Sequence, residues 1–345
     1  MMFRWEYGVD LGTSRISIAC PEKKLFCRQA NLLAMDGRSG RVCAMGDEAL
    51  AMLGRTPPWI EVYQPVEKGL VSRPELAALL LKSQFRAVRP NNPVASSRLC
   101  LCTPVSATGV ERDTLVDVAM KAGIKHVMLM ERPMAAALGA GLDIFAPQGK
   151  MVIEIGAGTT DIALFSLGGI VEAESIKIGG DDFDQAIRRF LKEKFSLLVG
   201  QRTAEAIKIR AAGCLREDFD ETLRIKGKNL HTGLPEVHEA DTLELYRAVE
   251  AVVRRIVRSA NQVMERAAPE LAGDLHTQGI VLTGGGALLR GLPELISRST
   301  GIKCVVADRP AECVAMGTGL ALANIGKLSE KGQGSFLFSA RRQRK

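Results

Sequence analysis

Two stretches of the chain share one pattern of apolar and polar positions. Residues 7–19, YGVDLGTSRISIA, set alternating and β-branched residues on either side of a tight turn at Gly12, Thr13 and Ser14. That pattern predicts a β-hairpin with a small-residue tip. Residues 151–165, MVIEIGAGTTDIALF, repeat it: an apolar strand, an acidic residue, a Gly/Thr turn, and a second apolar strand. Asp10 and Glu154 hold equivalent places, and each copy lies near the start of about half the chain. Repetition on this scale predicts two similar α/β domains facing each other.

Between and after the hairpins, strand-like and helix-like segments alternate. Residues 99–105 read as a strand, followed by a capping box at Thr108 and Glu111. The helix it opens carries Leu115, Val118, Ala119 and Ala122 on one face, Gly123 ends it, and residues 125–130 form the next strand. Gly179, Gly180 and Asp181 precede a helix with Phe183, Ile187, Phe190 and Leu191 at helical spacing. Residues 242–268 form a long helix whose stripe runs Val249, Val252, Val253, Ile256, Val257, Ala260, Val263, Met264 and Ala267, a core-packing face. Residues 279–291, GIVLTGGGALLRG, run a strand directly into three glycines and a helix start, where backbone N–H groups can approach a ligand closely. The alternation places the chain in the α/β class. The stretch 202–239 is more polar and reads as a loop-rich lobe within the second domain, and residues 55–59 mark a similar lobe in the first.

Composition narrows the class. With 345 residues, 46% hydrophobic and 25% charged, the chain can bury two cores and is not a disordered or fibrous sequence. No run of 18 apolar residues and no leader pattern is found, so a soluble, intracellular protein is expected. Eight cysteines lack a CxxC pair or a histidine cluster, and reduced, mostly buried thiols are expected. A net charge of +7, from 46 basic and 39 acidic residues, points to an anionic partner. Only 5% of residues are aromatic, which disfavours nucleic acid and leaves a membrane surface.

Two facing Gly/Thr turns would offer backbone donors to a polyphosphate from both sides. Asp10 and Glu154 would hold Mg²⁺ through water. The hydroxyls of Thr13, Thr159 and Thr160 would add phosphate contacts, and the turn Gly284, Gly285, Gly286 would lie under a base or ribose. Each turn alone is an ordinary structural feature; their conjunction predicts ATP in a cleft between two domains.

The strings GVDLGT (8–13), MLGRTP (52–57), PMAAA (133–137), GAGTTD (156–161), IGGD (178–181), TAEAIK (203–208), VLTGGGALLR (281–290) and CVA (313–315) resemble the MreB family of bacterial actin homologues. The match spans about residues 7–325. The family lies in the actin, sugar-kinase and heat-shock-chaperone superfamily. The resemblance implies an actin-like, duplicated RNase H-like two-domain ATPase fold with small inserted subdomains. Residues 1–145 with about 315–345 would form the first domain, with a small lobe at about 30–75. Residues 146–314 would form the second, with a small lobe at about 182–242. It also implies ATP with Mg²⁺ in the cleft and polymerisation into membrane-associated filaments. Such filaments would work with the cell-wall elongation machinery, direct wall synthesis and maintain rod shape. The protein would then sit in the cytoplasm, at the inner face of the membrane. By matching position, Gly12, Thr13, Ser14 and Arg15 would border the phosphates, with Gly156, Ala157, Gly158, Thr159 and Thr160 opposite. Glu205, Ala206, Ile207 and Lys208 would contact ribose and base. Gly284, Gly285, Gly286, Ala287 and Leu288 would complete the site.

Three residues depart from the family pattern. A carboxylate that orients the attacking water usually precedes the PMAAA string, but Arg132 stands there, and a guanidinium cannot accept a proton. Glu131 and Glu154 are the remaining candidate carboxylates. Glu154 replaces the usual Asp, and Arg15 the usual Asn. Retained binding with slow hydrolysis is the expectation. The chain ends suggest a membrane contact through Phe3 and Trp5, and through Phe336, Leu337, Phe338, Arg341 and Arg342. Three rivals stay open. A small-molecule kinase of the same superfold would need a substrate-binding aspartate, which is not identifiable. A chaperone ATPase would need a peptide-binding domain, for which residues after 325 leave no room. A hydrolysis-deficient paralogue could co-assemble with another family member and regulate it, and Arg132 makes this credible.

Overall fold

The computed structural model describes residues 5–88, 97–215, 221–323 and 337–340. Its organising feature is one sheet arrangement built twice. In the first sheet, strand Trp5–Leu11 pairs antiparallel with Arg15–Cys20 and parallel with Ser97–Thr103. Leu25–Ala30 lies outside the hairpin, and His126–Glu131 continues the parallel side. In the second, Lys150–Ile155 pairs antiparallel with Thr160–Ser166 and parallel with Ile280–Thr283. Gly169–Ile176 and Cys304–Val306 take the matching outer places. The duplication legible in the two turns therefore extends to five strands on each side.

The strand interiors read as almost continuous apolar runs because helices cover both faces of each sheet. Val9, Leu11, Ile153 and Ile155 are fully or almost fully buried. Two helices join the halves. Arg132–Gly139 follows the last parallel strand of the first sheet and packs on strands of the second. Cys313–Ala323 follows the corresponding strand of the second sheet and packs on the first. The two helices touch through glycines: a Cβ on Gly139 would overlap the carbonyl oxygen of Cys313, and one on Gly317 that of Ala135. Met134, Ala135, Ala136, Val152, Phe165 and Val314 share one core there.

The expected capping box is formed. Thr108 Oγ1 accepts from the Glu111 N–H at 3.3 Å, and the Thr108 N–H donates to Glu111 Oε2 at 2.7 Å, opening helix Gly109–Lys121. Thr108→Ala should cost about 1 kcal/mol. A lower urea midpoint with unchanged slope would show it; an unchanged midpoint would mean the box contributes nothing.

The long helix spans Thr242–Arg266 and buries Val249, Val253, Ile256, Val257, Ala260 and Val263, with Val252, Met264 and Ala267 partly buried against the same core. The 202–239 stretch is less loop-like than its polarity implies. It holds helix Gln201–Ala211 and the antiparallel strands Thr222–Asn229 and Pro235–Asp241. Leu223 and Ile225 point inward while Thr222, Arg224 and Lys226 face solvent, so one wet face made a strand read as loop. In the first small lobe, Leu33–Asp36 pairs with Arg41–Met45 and with Ile60–Tyr63. Helix Pro74–Val88, absent from the sequence reading, buries Ala77, Leu81 and Phe85.

All eight cysteines are free thiols; six are buried, Cys27 is half-buried and Cys43 exposed. Among the described residues no helix is long and apolar enough to cross a membrane. Trp5 is half-buried and stacks on Tyr7 at 5.9 Å between ring centroids. The backbone of Leu337–Ala340 pairs antiparallel with His126–Glu131 as an edge strand. Phe3, Phe336, Arg341 and Arg342 lie outside the described residues.

Candidate functional site

The two hairpin turns are built alike. The Gly12 N–H donates to the Arg15 carbonyl at 3.0 Å, and the Gly156 N–H to the Thr159 carbonyl at 2.8 Å. In each, the acidic side chain lies beside the glycine: a Cβ on Gly12 would be 3.6 Å from the Asp10 carboxylate, and one on Gly156 3.6 Å from Glu154 Oε1. The turns face each other at close range. A Cβ on Gly158 would stand 2.5 Å from Thr13 Oγ1 and 2.9 Å from Lys68 Cα, so only glycine lets them meet.

Neighbouring elements lock the turns. Asn31 Nδ2 donates to the Gly12 carbonyl at 2.7 Å, Gln64 Nε2 to the Thr13 carbonyl at 2.8 Å, and the Gly69 N–H to Thr13 Oγ1 at 2.9 Å. On the other side, the first N–H groups of helix Gly180–Phe195 hold the second turn: Gly180 donates to the Gly156 carbonyl at 2.9 Å and Asp181 to that of Ala157 at 2.8 Å. The third turn closes on the second sheet. Gly284, at φ +82°, leaves no space for a Cβ beside the Ile155 carbonyl, and its N–H donates to the Pro310 carbonyl at 2.8 Å.

These turns enclose a cavity of about 420 Å³, within the range of small-molecule sites. Asp10, Gly12, Thr13, Ser14 and Arg15 line it from one side, and Glu154, Gly156, Ala157, Gly158 and Thr159 from the other. Glu205, Lys208, Gly284, Gly285, Gly286 and Leu288 also line it. Four expected residues do not. Thr160 is buried and its hydroxyl donates to the Ile178 carbonyl at 2.8 Å. Ala206 and Ile207 point away because the cavity face of their helix runs Glu205, Lys208, Ile209, Ala212. Ala287 is buried beneath the third turn.

Glu131 is also corrected. Its side chain lies outside the cavity lining and 3.6 Å from the Arg112 guanidinium, because adjacent residues at a strand's end face opposite ways. Arg132, in contrast, lines the cavity with its side chain 5% exposed. Its Nη1 donates to Asp10 Oδ1 at 2.9 Å, and its Nε is 3.9 Å from Asp161 Oδ2. Burial alone would lower its pKa, yet Asp10, Glu154 and Asp161 together hold it above the ordinary arginine value. As first residue of its helix it places a cation at the positive end of the dipole, which the three carboxylates outweigh.

Burial pushes the Glu154 carboxyl up to about 8, although Arg132 pulls the other way. Between its usual 4.5 and about 8 the folded chain therefore binds a proton that the unfolded chain has released. Stability from this group is complete below the lower value and is lost as pH rises through the upper. Glu154→Gln, which is neutral throughout, should show a shallower fall in urea midpoint between about pH 5 and about pH 8. Parallel falls in both proteins would contradict the assignment.

The donor set argues against Mg²⁺ ligation by these side chains as they stand. Asp10 is ion-paired with Arg132, burial pushes the Glu154 carboxyl up to about 8, and among the described residues no three ligating side chains gather to hold a metal ion. The ring of carboxylates suits a cation, and the cation within it is a guanidinium.

Sequence reasoning missed several cleft residues. Lys68 Nζ reaches across from the first half to Asp182 at 2.7 Å, and Asp184 pairs at 2.9 Å with the Nζ of Lys208, itself an expected residue. Asn31, Gln64, Arg28 and Asp181 belong to the same surroundings. Lys68, Gln64 and Asn31 sit outside any glycine-rich string, so only the folded chain brings them to the turns.

Comparison with known proteins gives concordant matches. The family described as MreB/Mbl protein matches residues 4–330. The cell shape-determining protein Mbl of Bacillus subtilis (strain 168) is 40% identical over 330 residues, 96% of this chain and 99% of that protein. The crystal structure of MreB 5 of Spiroplasma citri bound to AMPPNP superposes with a TM-score of 0.90 at 30% identity, covering 96% of this chain and 99% of that one. The MamK double helical filament structure, at 22% identity and a TM-score of 0.76 over 92% of this chain and 98% of that one, shares the actin-like fold.

Proposed function

The chain belongs to the MreB/Mbl family, and from that premise we propose that it is an ATP-binding bacterial actin homologue. It assembles with copies of itself into filaments at the inner face of the cell membrane, where they direct cell-wall synthesis and maintain rod shape. Residues 1–145 with about 315–345 form one actin-like domain and residues 146–314 the other, with nucleotide between them. The observation that carries the reading is the pair of facing glycine turns closed by the third turn around one cavity. The AMPPNP held by the Spiroplasma citri relative supports it, as does the cell-shape role in the name of the Bacillus subtilis relative.

Thr13, Ser14 and Arg15 border the phosphates from one side, and Gly156, Gly158 and Thr159 from the other. Glu205, Lys208, the Gly284–Gly286 turn and Leu288 face ribose and base. Mg²⁺, where it accompanies the nucleotide, would draw its ligands chiefly from phosphate oxygens and water, because Asp10 is already bonded to Arg132. Hydrolysis is slow because Arg132 offers no acceptor to orient water. Glu131 is turned away, and Glu154 is buried, its carboxyl pushed up to about 8 by burial. The basic charge and the apolar, basic residues near both ends support contact with an anionic membrane.

The test is sedimentation of the purified chain with anionic liposomes, with and without ATP. ATP-dependent pelleting is expected; pelleting that ignores nucleotide, or none under either condition, contradicts filament formation by this chain alone. Arg132 favours a second reading, a hydrolysis-deficient paralogue that assembles only with an active family member. It predicts pelleting only when such a partner is added.

A further inference from the structure

We infer that the Arg132 guanidinium is a built-in counter-cation at the phosphate end of the cleft, so that this chain binds nucleotide without needing a divalent cation. The inference rests on the nucleotide reading above and deepens it.

A nucleoside triphosphate carries several negative charges, and a site that admits it beside Asp10, Glu154 and Asp161 must neutralise both sets. A divalent ion can do so from between carboxylate-held waters and phosphate oxygens. Here that ground already carries positive charge. Arg132 Nη1 is bonded to Asp10 at 2.9 Å, its Nε is 3.9 Å from Asp161, and the side chain lines the cavity beside Glu154. A divalent ion placed near these carboxylates would meet a fixed guanidinium, and it would compete with Arg132 for Asp10.

The guanidinium also has donors to spare. It carries five N–H donors in a planar fork. Its buried Nε has no hydrogen-bond partner among the described residues, and neither do Glu154 Oε2 and Asp161 Oδ2. Guanidinium suits phosphate through paired hydrogen bonds and stays charged at every working pH. Three further guanidinium-bearing residues, Arg15, Arg28 and Arg290, line the same cavity. Arg15 is tied to Asp47 at 2.6 Å, whereas the Arg132 guanidinium is bonded to Asp10 within the carboxylate ring.

The experiment is equilibrium binding of a fluorescent ATP analogue to the full chain, in Mg²⁺ and in excess EDTA. For the unmodified chain the two dissociation constants should agree within about threefold. Arg132→Gln should bind at least about tenfold more weakly in EDTA, with Mg²⁺ recovering part of the loss. A greater than threefold loss by the unmodified chain in EDTA would overturn the inference, as would unchanged EDTA binding by Arg132→Gln. Should that variant fail to fold, the unmodified comparison still decides, and a nucleotide-induced rise in melting temperature in EDTA reads the same binding independently. Absence of binding by the unmodified chain in both buffers would instead remove the nucleotide reading itself, and the inference with it.

Discussion

Arg132→Met should lower the stability of the folded chain by about 3–5 kcal/mol, the cost typical of removing one partner from a buried ion pair. The methionine fills similar space, so the loss reports charge rather than volume. Asp10, Glu154 and Asp161 would share a pocket with their central cation gone. One term opposes this: a cation at a helix N-terminus is unfavourable, and its removal returns about 0.3–1 kcal/mol. That gain is several-fold too small to win. The loss should also grow with pH, because protonation of the carboxyls relieves the repulsion at lower pH. Urea denaturation at about pH 6 and about pH 8 would reveal both features. A loss below about 1 kcal/mol would mean that water screens the ring as at an exposed pair.

Gly317→Ala should be of comparable severity, about 3 kcal/mol or more, at the upper end of overpacking effects. The new methyl would overlap the Ala135 carbonyl oxygen, a backbone atom inside the facing helix. A helical carbonyl cannot swing aside as a side chain can, so the helices Arg132–Gly139 and Cys313–Ala323 must separate. Gly139→Ala meets the Cys313 carbonyl in the same way. Because this helix pair joins the two sheets, the damage should reach the cleft and weaken nucleotide binding too. Gly273→Ala is the control: that helical position is exposed with open space around it, and the substitution should stabilise by about 0.5–1 kcal/mol. Equal midpoints for all three variants would contradict the packing argument.

What could be read from the sequence was whatever short-range chemistry dictates. The two turns needed glycine, a small hydroxyl residue and an acid in a fixed order, so their duplication was visible, and five matching strands followed. Thr108 with Glu111, and the stripe on Thr242–Arg266, were likewise local patterns. What escaped depends on chain distance or on side-chain direction. Lys68 and Asp182 are 114 residues apart, and nothing near either marks the pairing. Ala206 and Ile207 share a string with Glu205 and Lys208, yet helix geometry turns them elsewhere. Arg132 was legible as a missing carboxylate; that it gathers Asp10, 122 residues away, together with Asp161 was not. Residues 55–59 marked the first small lobe but not its strands Leu33–Asp36, Arg41–Met45 and Ile60–Tyr63, and helix Pro74–Val88 was not read from the sequence.

The most direct test of the whole account is the nucleotide content of filaments pelleted after incubation with ATP, measured against phosphate released to the supernatant. A polymer whose cleft binds ATP around Arg132, which stands where the family pattern has the water-orienting carboxylate, should pellet with its triphosphate largely intact and release little phosphate. Pellets containing mainly ADP, with matching phosphate in solution, would contradict the role given to Arg132.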